Sequence, residues 1–262
     1  MEPVRSCGTR RVADEQETAQ RVRELFTHIV PRYDLLNHLL SLSFDRLWRW
    51  RTARRLLPVL SAGDRVLDVC CGTGDLTFAL EAATVVAPVH FWGVDFVPDM
   101  LERARRKAAR RGSHARWVAA DALQLPFPDG QFAVVMLAFG FRNLASYPRG
   151  LAEFHRVLRP GGWLAILDFA EPGPTLFGRL YSFYFRRILP VLGGTISGDF
   201  HAYRYLPESV ARFPDPERLA RMVTAAGFHS VQLERWTGGA VWLMRAQRAP
   251  AGSRDDAGQS TA

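Results

Sequence analysis

The chain has 262 residues, of which 48% are hydrophobic, 11% aromatic and 23% charged. These values are typical of a globular protein and exclude a disordered or fibrous chain. A formal net charge of +8 ordinarily indicates a nucleic acid or an anionic membrane as partner. Lys107 is, however, the sole lysine among the 34 basic residues, and this bias indicates genome composition rather than a selected basic patch.

Cysteine usage and hydropathy predict a reducing compartment. Cys7, Cys70 and Cys71 provide neither a disulfide framework nor the spacing of metal ligands, so we expect no metal site. The longest apolar run, Phe132 to Phe141, is much shorter than the roughly 20 residues that cross a bilayer. The N-terminal residues lack the pattern of a secretory signal. We expect a cytoplasmic protein whose contact with a membrane, if any, is peripheral.

Apolar runs of strand length alternate with helical patterns, the order typical of βαβ units and a parallel sheet. The predicted strands, in chain order, are Arg65–Cys70, His90–Asp95, Arg116–Ala119, Phe132–Ala138, Trp163–Phe169, Val231–Trp236 and Ala240–Arg245. The predicted helices are Asp75–Ala83, Pro98–Arg111, Pro148–Leu158 and Asp215–Ala226. Residues 1–18 and 250–262 are polar and aperiodic, so we expect disordered tails around a single domain of residues 19–249.

Residues 171–214 interrupt this alternation. Their part from 177 to 213 is rich in aromatic side chains, among them Tyr181, Tyr184, Tyr203 and Tyr205. An insertion at this place would cover the carboxyl ends of the strands, where open α/β sheets bind ligands. The alternative is a second small core, since aromatic residues commonly serve packing. We predict a segment that covers the substrate.

Acidic residues accompany three successive predicted strands. Asp68 lies in the first strand, which leads into the Gly72-Thr73-Gly74 turn, where a ligand can approach the backbone and the amides of the next helix. Asp95 ends the second strand, where a carboxylate can accept both hydroxyl hydrogens of a ribose. Asp121 and Ala122 follow the third strand, where an acid can bond the amino group of an adenine. The three strand ends together predict an adenosyl site.

The Asp68–Gly74 loop, Asp95, Asp121 and the Arg156–Trp163 run resemble class I S-adenosylmethionine-dependent methyltransferases. A dinucleotide-binding loop would have Gly or Ala in place of Thr77, and a P-loop would end in Gly-Lys-Ser/Thr, so both of those sites are disfavoured. The resemblance implies a Rossmann-like α/β fold, with a mostly parallel seven-stranded sheet and helices on both faces. It also implies that S-adenosylmethionine is bound by Asp68, Gly72, Thr73, Gly74, Asp95, Asp121 and Ala122.

Further stretches are similar to the quinone C-methyltransferases of menaquinone and ubiquinone biosynthesis. They are Tyr33–Asn37 with Ser41 and Trp48, then Phe139–Asn143, and then Tyr203–Leu206 with Glu208, Ser209, Phe213 and Pro214. The glycine loop is closer to that of the menaquinone branch. The chain departs from the family pattern at Asp45, where histidine is usual, at Leu36, where methionine is usual, and at Ala170, where serine is common. Cys70 also stands where the broad class has glycine. For Cys70 we expect a shifted loop.

The resemblance implies C-methylation of a polyprenylated quinol, demethylmenaquinol to menaquinol. The alternatives are the ubiquinol precursor as substrate, and a non-catalytic scaffold subunit in a quinone-synthesis assembly. A quinol carbon becomes nucleophilic when a hydroxyl proton is lost, so the site needs a stabiliser for the phenolate and a route for the proton. The catalytic candidates are Arg142, Asn143, Tyr205 and His201. The substrate candidates are Tyr33, Asn37 and Tyr203. Helix capping and packing are the structural alternatives for Tyr33 and Asn37.

The sequence also bears on partners other than a quinol. Amino-methylating nucleic-acid enzymes carry an Asn/Asp-Pro-Pro-aromatic motif after the fourth strand, whereas this chain has Ala138–Asn143 there, so we expect no nucleic acid. A sterol or a phospholipid head group stays open as an alternative substrate, and a homodimer stays open as a state of assembly. A candidate face for anionic lipid is formed by Arg46, Arg49, Arg51, Arg54 and Arg55.

Overall fold

The computed structural model describes residues 41, 43–84, 88–173 and 208–252, together with residues 17, 20, 22–24, 27, 178, 183, 184 and 187. Both predicted tails lie outside these ranges except for the residues just named and for residues 250–252, and most of 171–214 lies outside them as well. The same holds for five candidate site residues, Tyr33, Asn37, His201, Tyr203 and Tyr205.

Seven strands form one sheet. They are β1 (Arg65–Val69), β2 (His90–Asp95), β3 (Arg116–Ala119), β4 (Phe132–Ala138), β5 (Leu158–Phe169), β6 (Phe228–Trp236) and β7 (Val241–Arg248), in the order β3-β2-β1-β4-β5-β7-β6. The pairs among β1 to β5 are parallel, and β7 runs antiparallel to both β5 and β6. The mostly parallel seven-stranded sheet predicted from the sequence is confirmed.

Five helices of at least seven residues accompany the sheet in the described ranges: α1 (Phe44–Leu56), α2 (Asp75–Glu81), α3 (Pro98–Arg111), α4 (Tyr147–Val157) and α5 (Pro216–Ala225). Their ends follow from local chemistry. Pro98 occupies the first turn of α3, where a missing N–H costs nothing, and Gly112 ends that helix with a φ of 66°. The Asp215 side chain caps α5 by accepting a 2.7 Å hydrogen bond from the Arg218 backbone N–H.

The strands bury side chains on both faces of the sheet, as a doubly covered parallel sheet requires. In β4, Val135 and Leu137 pack into the apolar layer beneath α4 and α5, whereas Val134 and Met136 pack into the layer beneath α1 and α2. The alternation places helices on both faces, as predicted. None of the described helices is long and apolar enough to span a bilayer.

Two strands begin earlier than the sequence predicts. β5 starts at Leu158, which pairs with Phe132, and its ladder resumes with Trp163 opposite Val134, so Arg159–Gly162 lie in an irregular part of the strand. β6 starts at Phe228, with an irregularity between His229 and Gln232 where Ser230 has a φ of 50°. Pro160, Gly161 and Gly162 are typical of a turn, although the chain stays in the sheet on either side of them.

The strand order reverses between β1 and β4, because β2 and β3 extend the sheet on one side of this pair and β5 extends it on the other. A reversal of this kind leaves a crevice beyond the carboxyl ends of the two central strands, which is where open α/β sheets bind ligands. The acidic candidates of the sequence all lie at this edge.

Candidate cofactor and active site

A cavity of about 620 Å³ opens beyond the carboxyl ends of β1, β2, β3 and β4. Its volume lies within the range of about 300–1,000 Å³ that small-molecule sites occupy. Its wall includes Cys70 and Gly72 after β1, Asp95–Pro98 and Met100 after β2, Ala119–Leu123 after β3, and Ala138–Gly140 with Asn143–Ala145 after β4. The cavity is also lined by three residues near the N-terminus that were not predicted from the sequence, Gln20, Val22 and Arg23.

Asp95 joins the β2 end to the glycine loop. Its Oδ2 accepts a 2.8 Å hydrogen bond from the Gly72 backbone N–H, and its Oδ1 accepts a 2.9 Å bond from that of Val97. Asp95 is 7% exposed, and burial raises the pKa of its carboxyl although the backbone amides of Val97, Gly72 and Phe96 oppose this. Because a carboxylate offers about four lone pairs, each oxygen retains acceptor capacity towards the cavity after these bonds.

Asp121 and Ala122 line the cavity after β3. The Asp121 Oδ1 accepts a 2.8 Å hydrogen bond from the Leu123 backbone N–H, which fixes the turn that follows the strand. The carboxyl group is exposed, whereas Ala122 is buried at 7%. The structure thus brings Asp95, Asp121, Ala122 and Gly72 together on one cavity wall.

The glycine loop turns sharply and is held from a neighbouring helix. Cys70 has a φ of 54° and Gly74 a φ of 85°, both in the left-handed region. At Gly74 an added Cβ would lie 2.5 Å from the Trp117 ring, so only glycine fits. Lys107 of α3 donates to Thr73 Oγ1 at 2.8 Å and to Asp75 Oδ1 at 2.7 Å. The only lysine of the chain therefore ties α3 to this loop, a role the sequence analysis missed.

Asp68 lies deeper than Asp95, beside a second cavity of about 20 Å³ that shares Cys70, Gly72 and Ala138 with the large one. Its Oδ2 accepts bonds from the Thr77 hydroxyl (2.7 Å) and the Thr77 backbone N–H (3.1 Å). Its Oδ1 is buried without a hydrogen-bond partner among the described residues. Burial raises the Asp68 pKa to about 7, against the opposing effects of the Thr77 bonds and the Arg49 charge.

Arg142 follows β4 in a short 3-10 helix, Phe141–Asn143. Its Nη1 donates to Asp168 Oδ1 at 2.7 Å and also to the Phe139 carbonyl, and its guanidinium lies 5.4 Å from the Phe169 ring centroid. Its Nε is buried with no hydrogen-bond partner among the described residues. Asn143 lines the large cavity, whereas Arg142 lies behind that wall.

Asp168, the penultimate residue of β5, is the Arg142 partner that was not predicted from the sequence. It is 0% exposed, and its Oδ2 accepts the Arg142 backbone N–H at 3.2 Å while Oδ1 accepts that of Phe169 at 2.9 Å. An aspartate within an apolar strand is a signal that the sequence does contain, since a buried carboxylate needs a partner. The partner itself lies 26 residues earlier in the chain and follows only from the fold.

Asp45, the departure from the family pattern, is buried at 3% and forms an ion pair with Arg49 one helical turn later. The Ser41 hydroxyl donates to Asp45 Oδ1 at 2.8 Å. The guanidinium of Arg49 lies 5.3 Å from the ring centroid of Phe139, a residue of the cavity wall. Asp45 therefore has a structural hydrogen-bonding role in α1.

Comparison with known proteins identifies the family of the chain. The model of the ubiE/COQ5 methyltransferase family matches residues 13–248. A demethylmenaquinone methyltransferase of Deinococcus radiodurans is 50% identical over 219 residues, which cover 84% of this chain and 89% of that protein. One of Thermus thermophilus is 53% identical over 215 residues, 82% of this chain and 96% of that protein.

Among solved structures, a SAM dependent methyltransferase of Aquifex aeolicus matches with a TM-score of 0.56 and 20% identity, covering 77% of this chain and 92% of its own. At this identity the likeness concerns the fold, and it agrees with the sheet described above. The family model and the two relatives each cover most of the chain, so the chain belongs to the ubiE/COQ5 methyltransferase family.

Proposed function

We propose that this protein transfers the methyl group of S-adenosylmethionine to a ring carbon of demethylmenaquinol and so forms menaquinol. Two relatives that are 50% and 53% identical over most of the chain are both named demethylmenaquinone methyltransferase. The structural observation that carries the proposal is the cavity of about 620 Å³ at the strand-order reversal, with Asp95 and Asp121 on its wall.

The residues present fit the adenosyl part of this cofactor. Asp95 has acceptor capacity left for a ribose diol, and Asp121 lies one strand further along the same edge, where it would accept from the adenine amino group. Two apolar residues of the same cavity wall, Val97 and Met100, offer surface to a planar base. Gly72 and Gly74 have no side chains, so the turn they form lets a ligand approach the backbone closely beside this wall.

The methionine end is expected beside Asp68. The Asp68 Oδ1 is buried, lacks a partner in the described part of the chain and adjoins the small cavity. An ammonium group suits this oxygen, because it would donate a hydrogen bond and its positive charge would stabilise the carboxylate that burial disfavours. Thr77, 0% exposed, keeps the other oxygen of Asp68 in place. Thr73 and Asp75, held by Lys107, fix the loop beside it.

The substrate needs different help. When bound, S-adenosylmethionine would supply an electrophilic methyl group, which a ring carbon could take up with its own electron pair as the bond from methyl to sulfur breaks. The methylated ring carbon would then lose its hydrogen as a proton, which restores the aromatic ring. An oxidised quinone is electrophilic, so the ring must be reduced and must lose a hydroxyl proton before it can supply that pair. Asn143 on the cavity wall would orient the ring oxygen, and Arg142 behind it would stabilise the developing charge through its fixed cation.

The proposal also includes five residues that lie outside the described ones, Tyr33, Asn37, His201, Tyr203 and Tyr205. Tyr205 and His201 are proposed proton acceptors. Tyr33, Asn37 and Tyr203 are proposed to enclose the quinol ring. We further propose a cytoplasmic protein that meets its polyprenyl substrate at a membrane surface.

An assay with purified protein, S-adenosylmethionine and chemically reduced demethylmenaquinone tests the proposal, with the reduced ubiquinone precursor and a quinol-free reaction alongside. We expect methylated naphthoquinol, identified by mass spectrometry, and none from the oxidised quinone. Product from the benzoquinol alone would assign the ubiquinone branch. Calorimetric binding of S-adenosylmethionine without any product would favour a scaffold subunit.

A further inference from the structure

The solvent-facing side of α1 carries only large apolar residues and arginines. Its exposed residues are Phe44, Arg46, Leu47, Trp50, Arg51, Arg54 and Arg55, and this set is called the α1 face below. Phe44, Leu47 and Trp50 recur every three residues, so they share one side of the helix. The buried residues of α1 occupy the opposite side.

This exposure of apolar side chains is concentrated. The described residues contain four exposed large hydrophobic side chains, and three of them are Phe44 at 44%, Leu47 at 37% and Trp50 at 51%. The remaining six tryptophans of the chain are buried or partly buried. A cluster of exposed apolar groups on one helix indicates an interaction surface, because folded proteins rarely leave several such side chains together in water.

The arginines give the α1 face a positive charge. Arg54 stacks 5.4 Å from the Trp50 ring centroid, so cation and ring present themselves together. Asp45, the one acidic residue of α1, is buried and does not reach this surface. Its partner Arg49 is buried with it, so the prediction that Arg49 belongs to the lipid face is wrong. Within the described residues, Arg55 pairs with Glu234, at 2.8 Å, whereas Arg46, Arg51 and Arg54 have no carboxylate partner.

We propose that the α1 face docks the protein on an anionic lipid bilayer. Trp50, Phe44 and Leu47 would enter the interfacial region, and Arg46, Arg51 and Arg54 would bind lipid phosphates. A second copy of the chain is a poor occupant, because a symmetric contact would set arginines against arginines. A nucleic acid would leave three apolar side chains without a partner.

The other side of α1 connects this surface to the cavity. Trp48 packs against Phe139 with ring centroids 5.9 Å apart, and Phe139 lines the large cavity. A helix with its side chains is about 10–12 Å across, so docking would hold the cavity wall roughly one helix diameter from the lipid. The purpose of this arrangement, delivery of a quinol whose polyprenyl tail stays in the bilayer, rests on the proposed function; the docking itself does not.

Flotation with lipid vesicles tests the α1 face in the full chain. The native protein should float with vesicles of phosphatidylcholine and phosphatidylglycerol, much less with phosphatidylcholine alone, and less as salt rises. Arg46→Glu/Arg54→Glu should weaken the apparent affinity by about tenfold or more, since each arginine at an anionic surface contributes about 1 kcal/mol. The matched control is Arg110→Glu/Arg221→Glu, which makes the same charge change at two exposed arginines of α3 and α5 and should bind nearly as the native protein does.

Tryptophan fluorescence adds a readout of insertion. Because Trp50 is the one exposed tryptophan, vesicles with brominated acyl chains should quench the native protein and should quench Trp50→Phe far less. The proposal is overturned if anionic vesicles leave the native protein unbound, if the control pair weakens binding as much as the test pair, or if quenching survives in Trp50→Phe. It is also overturned if sedimentation shows a dimer that Arg46→Glu/Arg54→Glu dissociates.

A turnover assay separates this proposal from the proposed function. Arg46→Glu/Arg54→Glu should keep the native rate on a short-tailed, detergent-free quinol and lose rate on quinol embedded in anionic vesicles. Vesicle binding without turnover on any quinol would sink the proposed function and leave docking intact. Turnover on embedded quinol that ignores both the charge reversal and the vesicle charge would sink docking alone.

Discussion

Arg142 is positioned by a carboxylate that has no contact with solvent. The side chains of Arg142 and Asp168 are 6% and 0% exposed, so each neutralises a charge that would otherwise be buried alone. We predict that Arg142→Ala lowers the free energy of unfolding by about 3–5 kcal/mol, the usual cost of removing one member of a buried pair. It should also abolish quinol methylation, which calorimetry and the quinol assay measure separately from folding.

The double variant Arg142→Met/Asp168→Asn distinguishes the two effects. It removes both charges together and should recover much of the lost stability, because no buried charge remains unpaired. Cofactor binding should persist, since Arg142 does not line the large cavity. If this stable double variant methylates quinol at the native rate, the charge of Arg142 has no part in the reaction.

Asp68 makes stability depend on pH. Burial raises its pKa from the ordinary 3.8 to about 7, so between these values the folded protein holds a proton that the unfolded chain has released. The free energy of unfolding should therefore fall as pH rises from about 4 to about 7. Asp68→Asn should flatten this slope, because an amide oxygen accepts both Thr77 bonds and the amide nitrogen stands in for the protonated oxygen.

Urea unfolding of the cofactor-free protein at steps between pH 4 and pH 8 measures both slopes. Asp95 also has a raised pKa and contributes in the same direction, so the native slope should shrink in Asp68→Asn rather than vanish. Parallel curves for the two proteins would show that Asp68 is ionised throughout and that a charge outside the described contacts stabilises it.

At this scale the sequence reveals residues whose role depends on their place at a strand end. The location of Asp95 and Asp121 was predictable, because an acidic residue at the end of a buried parallel strand lies at the edge of the sheet where such folds bind ligands. Asp168 and Lys107 were not, since their partners Arg142, Thr73 and Asp75 come from distant parts of the chain. Pairs of residues that are far apart in the sequence cannot be predicted from it, even where one residue is of an unusual type for its position.

At the scale of elements, two loops meet closely beside the cavity. An added Cβ at Gly140, in the loop after β4, would lie 2.5 Å from the Cβ of Cys70 in the loop after β1. We predict that Gly140→Ala lowers the free energy of unfolding by about 1–3 kcal/mol through this overlap. S-adenosylmethionine binding should weaken as well, because both residues line the cavity.

Cys70→Gly removes the atoms that would collide, and the nearest remaining atom, the residue 70 carbonyl oxygen, lies at 3.6 Å from the added Cβ. It also relieves a left-handed φ of 54°. Gly140→Ala should therefore cost little in the Cys70→Gly background. Equal losses of stability in both backgrounds, from a double-mutant cycle, would show that the two loops are not coupled.

Most elements could be predicted because hydrophobic periodicity decides them locally. β2, α3, β3 and β4 were predicted with the bounds that the structure has. The start of β5 was not, since Pro160, Gly161 and Gly162 read as a turn while Leu158 already pairs with Phe132. Only the neighbouring strand shows that the chain remains in the sheet across this irregularity.

At the scale of the molecule, the proposed cofactor site exists only when the sheet is assembled. Its wall combines the ends of four strands whose residues range from Cys70 to Ala145 along the chain, so the unfolded chain offers no comparable site. A ligand that binds only the folded state adds stability according to its saturation, about 2.7 kcal/mol at a concentration 100 times its dissociation constant. We predict a stabilisation of this size by S-adenosylmethionine, measured by urea unfolding without any quinol.

Asp95→Ala should need a concentration about tenfold or more higher for the same stabilisation, because a hydrogen bond between a charged carboxylate and a ribose hydroxyl contributes about 1.5–3 kcal/mol. Arg46→Glu/Arg54→Glu is the control, since its substitutions lie on the α1 face and leave the cavity wall unchanged. The same ligand dependence in Asp95→Ala and the native protein would remove Asp95 from the cofactor site. A loss in the control would instead show that α1 and the cavity respond as one unit, through the contact of Trp48 with Phe139.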